Sequence, residues 1–286
     1  LSKLSPGGNT TIFFPAADLP PRRQAALART ALEQHFLGAE QAGFVDRRQR
    51  RLRMAGGEFC VNASRAFGAL LAFREYESGP RQGSLAAPGI PDGEGGAPLE
   101  YEQDYEITVS GWPGPVSLSV RGRSPVWQVT ATLRLPGISI HPLAQGINLV
   151  RLPGIAHVLL RMDLHPFPEA HEQAMDLLRQ TWHLEDEPAV GAIWWRELQG
   201  QLEMIPLVHV REARTTCLES SCGSGALALA LKLSQGGGRR SYDILQPNGS
   251  SLAVTLRQDG EERLVSIGGP VALVALGQVW LPDVTP

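Results

Sequence analysis

Apolar and polar residues alternate along much of this chain. Val116-Ser117-Leu118-Ser119-Val120-Arg121 and Val126-Trp127-Gln128-Val129-Thr130-Ala131-Thr132-Leu133 send every second side chain to one face, the period of a half-buried antiparallel strand. Tyr105 to Ser110 follows the same rule. Ser241 to Leu245, Ser251 to Leu256, Leu264 to Ile267 and Val271 to Leu281 read as closing strands, with Asn248-Gly249 and Asp259-Gly260 as hairpin turns between them. Ile12 to Phe14, Gln41 to Met54, Asn148 to Leu160, Ala189 to Trp195 and Leu202 to Val210 predict further strands.

Helical spacing is found in four places. Arg22 to Phe36 repeats apolar Ala25, Leu27, Ala28, Ala31, Leu32 and Phe36, and Glu169 to Arg179 predicts a second helix at the same point of a second series. The other two, from Cys60 to about Tyr76 and from Cys222 to the stop at Gly236-Gly237-Gly238, are made of small and aliphatic residues, and each follows a cysteine. The chain thus reads twice as strands, a helix, strands, a cysteine at a helix start and more strands. That order predicts an α+β fold of two similar pseudo-symmetric α/β lobes with a cleft between them, where small ligands bind. The boundaries are 1–143 for the N-terminal lobe, 144–267 for the C-terminal lobe, and 268–286 for a terminal strand returning to the first. Ser78 to Pro98, rich in Gly and Pro, reads as a long mobile loop, an insertion or a lid.

With 286 residues, 43% of them hydrophobic, there is material for one large domain or two ordinary ones. A formal net charge of −3 points away from nucleic acid and from anionic membranes, and the basic run Asp46 to Arg53 reads as a solvated face. No apolar run is long enough to span a bilayer, and no basic segment followed by an apolar one opens the sequence. Three cysteines predict free thiols in a reducing compartment, the cytoplasm.

A helix start presents unpaired amides and the positive end of its dipole. A thiol there is expected to have a lowered pKa, and an anion can dock on the amides. Cys60 and Cys222 hold this position in the two series. Cys60-Val61-Asn62-Ala63-Ser64-Arg65 resembles the Cys-Gly-Asn-Gly-Ala-Arg motif of the diaminopimelate epimerase-like superfamily, the pyridoxal-phosphate-independent amino-acid racemases and epimerases. Ser221-Cys222-Gly223-Ser224-Gly225 is similar to its second motif, Ala-Cys-Gly-Thr/Ser-Gly. Gly8-Asn9-Thr10, Gly154-Ile155-Ala156-His157 and Gln246-Pro247-Asn248-Gly249 resemble three further segments, all in family order. Val61 and Ser64 depart from the first motif, and Ile155 replaces an asparagine. The Glu-Arg pair that holds the far end of diaminopimelate has no evident counterpart. In these respects the chain looks more like the histidine racemase branch that supplies D-histidine to opine-type metallophores.

The resemblance implies an isomerase without cofactor or metal, acting on a small-molecule amino-acid substrate and compatible with a homodimer. One thiolate removes the α-proton and the other thiol reprotonates the opposite face. Cys60 and Cys222 are then catalytic. Asn9, Val61, Asn62, His157, Glu219, Gly223 and Ser224 are the expected substrate contacts, the amides of Val61, Asn62, Gly223 and Ser224 receiving carboxylate charge. Glu219 and Glu58 read either as amine- or imidazole-binding groups or as strand-end carboxylates in water. His157 reads as a cleft or a structural histidine, and Cys217 as packing. Alternatives are diaminopimelate epimerase itself, a carbon–carbon double-bond isomerase of the same fold acting on an unsaturated acid, a thiolate metal site and a non-catalytic binding module. The isomerase would want a cationic cleft.

Overall fold

The alternating segments pair into one continuous β-structure. A computed structural model describes residues 1–16, 20–33, 37–78, 101–135, 137–237, 240–260 and 262–280. The loop expected after Ser78 and the end of the helix expected to reach Phe36 lie outside the described residues. The first half contains β1 (Ser2–Pro6), β2 (Thr11–Pro15), α1 (Pro21–Leu32), β3 (Gln41–Asp46), β4 (Arg51–Met54), α2 (Val61–Ser78), β5 (Tyr101–Val109), β6 (Pro115–Arg123) and β7 (Val126–Leu135). The second contains β8 (Ser139–Ala144), β9 (Ile147–Leu152), β10 (Ile155–Arg161), α3 (His171–Thr181), β11 (Ala189–Leu198), β12 (Gln201–Val210), β13 (Thr215–Leu218), α4 (Gly223–Ser234), β14 (Ser241–Leu245), β15 (Ser251–Asp259) and β16 (Glu262–Leu276).

Strands β1 to β7 follow one another, β16 joins β7, and β16 also pairs with β1, so eight strands close a barrel. From β16 the sheet continues as β15-β14-β12-β11-β10-β9-β8, with β13 beside β12. The expected α+β class holds in a coarser form: the chain is mostly β, with four helices among the described residues.

The two apolar helices occupy the interior. Helix α2 packs against β1, β2, β3, β5, β6, β7 and β16 and therefore threads the barrel. Its Ala63, Ala66, Phe67, Ala69, Leu70 and Ala72 are all buried, which explains the absence of a polar stripe. Helix α4 lies against β9, β10, β14, β15 and β16 and touches α2. The amphipathic α1 and α3 pack outside. Ala28 and Ala31 of α1 cover Ile12, Phe14 and Phe44, and Met175 of α3 covers Val158, Val190 and Leu207. Each links a parallel strand pair, β2–β3 and β10–β11.

The closing strand differs from expectation. Leu264 to Ile267 and the segment from Val271 read as two strands, yet β16 runs unbroken through both for 15 residues. Gly268, Gly269 and Pro270 keep register with Thr130, Val129 and Gln128 of β7. The two glycines leave room there: a Cβ on Gly269 would lie 2.9 Å from Arg65 Nη2.

Arg65 is fully buried on α2. Its guanidinium donates to the carbonyl of Val129 on β7 (3.0 Å), to that of Pro270 on β16 (3.2 Å) and to Asn62 Oδ1 (3.3 Å). Burial lowers its pKa to about 10, so it stays charged at neutral pH. Arg65→Met strands these acceptors and is expected to cost about 3 kcal/mol in urea unfolding. A loss below about 1 kcal/mol would show that the network contributes little.

Candidate active site

Cys60 and Cys222 immediately precede α2 and α4. Both are nearly buried and line one cavity of about 40 Å³. Backbone packing sets the position of Cys60. Gly111 (φ +73°) and Gly154 (φ +74°) stack against the chain at Phe59, where a Cβ on Gly154 would sit 2.8 Å from Gly111 Cα and 3.0 Å from Phe59 N. This is why glycine opens the Gly154-Ile155-Ala156-His157 segment: both the left-handed backbone and the contact exclude a side chain. The start of α4 is equally close to α2, since a Cβ on Gly223 would lie 2.8 Å from Val61 Cβ and 3.1 Å from Asn62 Oδ1.

The loop before Cys222 is held from both halves. Asn9 Nδ2 and Asn62 Nδ2 both donate to the Ser221 carbonyl at 2.8 Å. Glu40 accepts from the Ser220 hydroxyl (2.7 Å) and amide (2.8 Å). Gln246 Oε1 accepts from the Cys222 amide at 3.0 Å, which gives the Gln-Pro-Asn-Gly turn its part in the site. Asn248 Nδ2 and Ser250 Oγ in turn donate to the Gly7 carbonyl.

Asn9 was expected to hydrogen-bond substrate, and Asn62 to offer it a backbone amide. Their side-chain amide groups instead position Cys222. Asn62 still lines the cavity, and Asn9 lies outside its lining, buried with Oδ1 unbonded. His157 was expected either as a substrate contact at the cleft or as a structural histidine. It lies outside the cavity lining, fully buried on β10 over Gly191, with neither ring nitrogen hydrogen-bonded. Burial lowers its pKa to about 3. Gly223, Ser224 and Glu219 line the cavity, as do Glu58 and Cys217, so Cys217 is a cavity residue rather than packing. Val61 is buried outside the lining, although its amide stands at the start of α2. Helix geometry leaves the amides of Val61, Gly223 and Ser224 without carbonyl partners in their own helices.

Gln41 and Glu40 are additions that the sequence did not single out. Gln41 Nε2 donates to Glu219 Oε1 at 2.6 Å, and the Cys60 thiol donates to Gln41 Oε1 at 3.1 Å. Glu219 Oε2 is buried and unbonded. Among the described residues, the charged groups lining the cavity are Glu40, Glu58 and Glu219.

The expected lowering of the thiol pKa values is overturned. Amides of Ala63 and Asn62 favour a Cys60 thiolate, and that of Gly225 a Cys222 thiolate, but burial and the neighbouring Glu219 outweigh them and push both thiols up. Cys217 is raised to about 12, mainly by burial. Burial likewise raises Glu58 and Glu219 to about 7, and lifts Glu40 above the usual carboxylate range.

These shifts fix the sign of a pH effect. In the unfolded chain a glutamate ionises near 4.5, but Glu58 and Glu219 in the fold do so near 7. Their contribution to stability is full below about pH 4.5 and is lost as pH rises through about 7. His157 acts oppositely: its contribution is present above 6.5 and is lost as pH falls toward 3. Glu58→Gln should remove a decline on the order of 3 kcal/mol between about pH 4.5 and 8. Urea unfolding across that range checks it, and parallel profiles for variant and wild type would contradict the assignment.

A family model described as the histidine racemase CntK N-terminal domain matches residues 1–280. A histidine racemase of Fusobacterium nucleatum subsp. nucleatum (strain ATCC 23726) is 29% identical over 283 residues, covering 98% of this chain and 96% of the relative. One of Staphylococcus aureus (strain Mu50) is 21% identical over 291 residues, covering 98% and 97%. Among solved structures, a probable proline racemase from Agrobacterium radiobacter K84 superposes with a TM-score of 0.61 at 12% identity, covering 98% of this chain and 92% of that one. A predicted epimerase from Pseudomonas aeruginosa gives 0.61 at 16%, covering 98% and 99%. These likenesses show a shared fold.

Proposed function

The chain belongs to the histidine racemase CntK family, and on that premise we propose that it interconverts L- and D-histidine without a cofactor, Cys60 and Cys222 serving as the paired acid and base. The observation that carries the reading is the presence of two buried thiols, each at the start of a buried helix, on one cavity whose charged lining groups are carboxylates. Such a cavity favours a substrate bearing an ammonium or an imidazolium and repels a polycarboxylate. That weighs against the double-bond isomerase.

The chemistry follows from the parts. Glu219 Oε2 accepts a substrate N–H. The substrate carboxylate meets the free amides of Val61, Gly223 and Ser224. One thiolate removes the α-proton, and the bonding pair flows toward the carboxylate. Each amide facing that growing charge contributes roughly 3 kcal/mol. The other thiol delivers its proton to the opposite face, so the thiol and thiolate exchange places. A bound cation also offsets the Glu219 charge that raises both thiols.

The element order supports reading the halves as related lobes, 1–143 and 144–267, with the chain from 268 returning to the first through the pairing of β16 with β7 and β1. D-Histidine made in the cytoplasm by such an enzyme would serve an opine-type metallophore.

The test is conversion of L-histidine in deuterated water under reductant, with α-deuterium and D-isomer followed together. Wild type should yield deuterated D-histidine. Cys60→Ser and Cys222→Ser should each lower the rate by at least about 10³-fold, and Glu219→Gln should lower kcat/KM about 10²-fold. Exchange with other amino acids but not histidine would reassign the substrate. Full racemisation by either serine variant would remove the two-base assignment.

A further inference from the structure

Gln41 stands at the start of β3, between one thiol and the carboxylate. Its side chain has two unlike ends. Nε2 donates to Glu219 Oε1 at 2.6 Å, while Oε1 accepts from the Cys60 thiol at 3.1 Å and from the Thr11 hydroxyl at 3.3 Å. An ionised carboxylate only accepts hydrogen bonds, so Glu219 fixes which end of the amide faces it. The carbonyl end is thereby turned to Cys60. It too can only accept, so this orientation requires Cys60 to hold its proton.

A thiolate at Cys60 would face a carbonyl oxygen. Half a turn about the last side-chain bond relieves the clash by giving Nε2 to the sulfur. The same turn presents Oε1 to Glu219, which must then carry a proton. Thr11 fits either state, because a hydroxyl both donates and accepts.

We propose that Gln41 is a positioning residue whose amide orientation couples the protonation of Cys60 to that of Glu219. Carbonyl toward sulfur goes with a thiol and an ionised carboxylate; amine toward sulfur goes with a thiolate and a protonated carboxylate. The proton lost by sulfur is the one gained by the carboxylate. It moves through solvent, the S–H electron pair stays on sulfur, and the amide only turns. Two protons are shared by Cys60, Cys222 and Glu219 in either state. With Cys60 as thiolate and Cys222 as thiol, the site is armed to remove a proton on one side and supply one on the other.

Other groups also act on these two. Glu58 and Glu219 raise the Cys60 thiol, Glu40 and Glu58 raise Glu219, and Glu219 raises the Cys222 thiol. Arg65 lies beneath on α2, and Cys217 lies beside Glu219 on β13. These interactions persist whichever way the amide points. The coupling through Gln41 is therefore measurable as a difference between two backgrounds.

The inference rests on reading Cys60 as an acid–base group, and its test needs no turnover. Iodoacetamide alkylation of Cys60 and Cys222 is timed by peptide mass spectrometry in the unliganded protein, with and without Glu219→Gln, in the wild-type and Gln41→Met backgrounds. Glu219→Gln should speed Cys60 alkylation in both backgrounds, because it removes a charge that raises the thiol, but about tenfold more beside Gln41 than in the Gln41→Met background. Its effect on Cys222 should be the same in both. Equal acceleration of Cys60 in the two backgrounds overturns the proposal.

Thermal melting checks that Gln41→Met is folded. Should it not be, Gln41→Glu is the second variant. It places an acceptor-only group against the sulfur, so Cys60 alkylation should fall below wild type, and an unchanged or faster rate overturns the coupling. Coupling found in a protein that does not racemise histidine would overturn the proposed function and leave Gln41 standing. Racemisation without coupling would do the reverse.

Discussion

A helix that starts in a protein interior must find partners there for its first amides. Residues 61–72 of α2 and 223–231 of α4 are all buried, so neither helix can turn its start toward water. The cysteine sulfurs take part of this load, with the Ala63 amide 3.3 Å from Cys60 Sγ. The Cys222 amide goes to Gln246. Gly223 and Ser224, whose amides lack carbonyl partners in their own helix, line the cavity. The demand for anions at two helix starts and the presence of a substrate site are thus one condition. The barrel around α2 and the sheet around α4 are what keep the condition in force.

Around those starts, negative charge has been concentrated rather than dispersed. Glu40 secures Ser220, Glu58 accepts from the Gly56 amide at 2.9 Å, and Glu219 meets Gln41. Each carboxylate has a local structural partner, yet burial keeps all three above their ordinary range. The energy stored in that arrangement is released when a cation enters. Positioning is therefore bound up with charge: the contacts that hold the Cys222 loop to the first half also build the field that a substrate must satisfy.

Much of this was legible in the sequence, and the limits have physical causes. Alternation disclosed β6, β7 and β15, because one face of each is buried and the other is not. The interior helices were visible as alanine- and leucine-rich runs after Cys60 and Cys222. Gln41 was not, since one polar residue at a strand start carries no period, and its neighbours Cys60 and Glu219 come from distant parts of the chain. Asn9 and Asn62 were recognised as important, but not the role of their side-chain amides, because the Ser221 carbonyl they share becomes a neighbour only when the halves assemble. The thiol pKa values were misjudged for a related reason. Helix position is local and readable, whereas burial beside Glu219 is not. Gly268-Gly269-Pro270 carries no alternation, so β16 read as two strands, and only the partner strand β7 shows that the run is continuous.

The unbroken run of β16 has a mechanical consequence. The cavity, at about 40 Å³, holds a few waters rather than an amino acid, so its walls must part for substrate to enter. A linker between the halves would let them swing freely. Here the sheets of the two halves are joined through one strand, hydrogen-bonded to β15 on one side and to β7 and β1 on the other. Parting the walls means twisting that strand within its ladders, a stiff torsion spring with a small range of travel. The spring returns the thiols to the same relative placement after each opening.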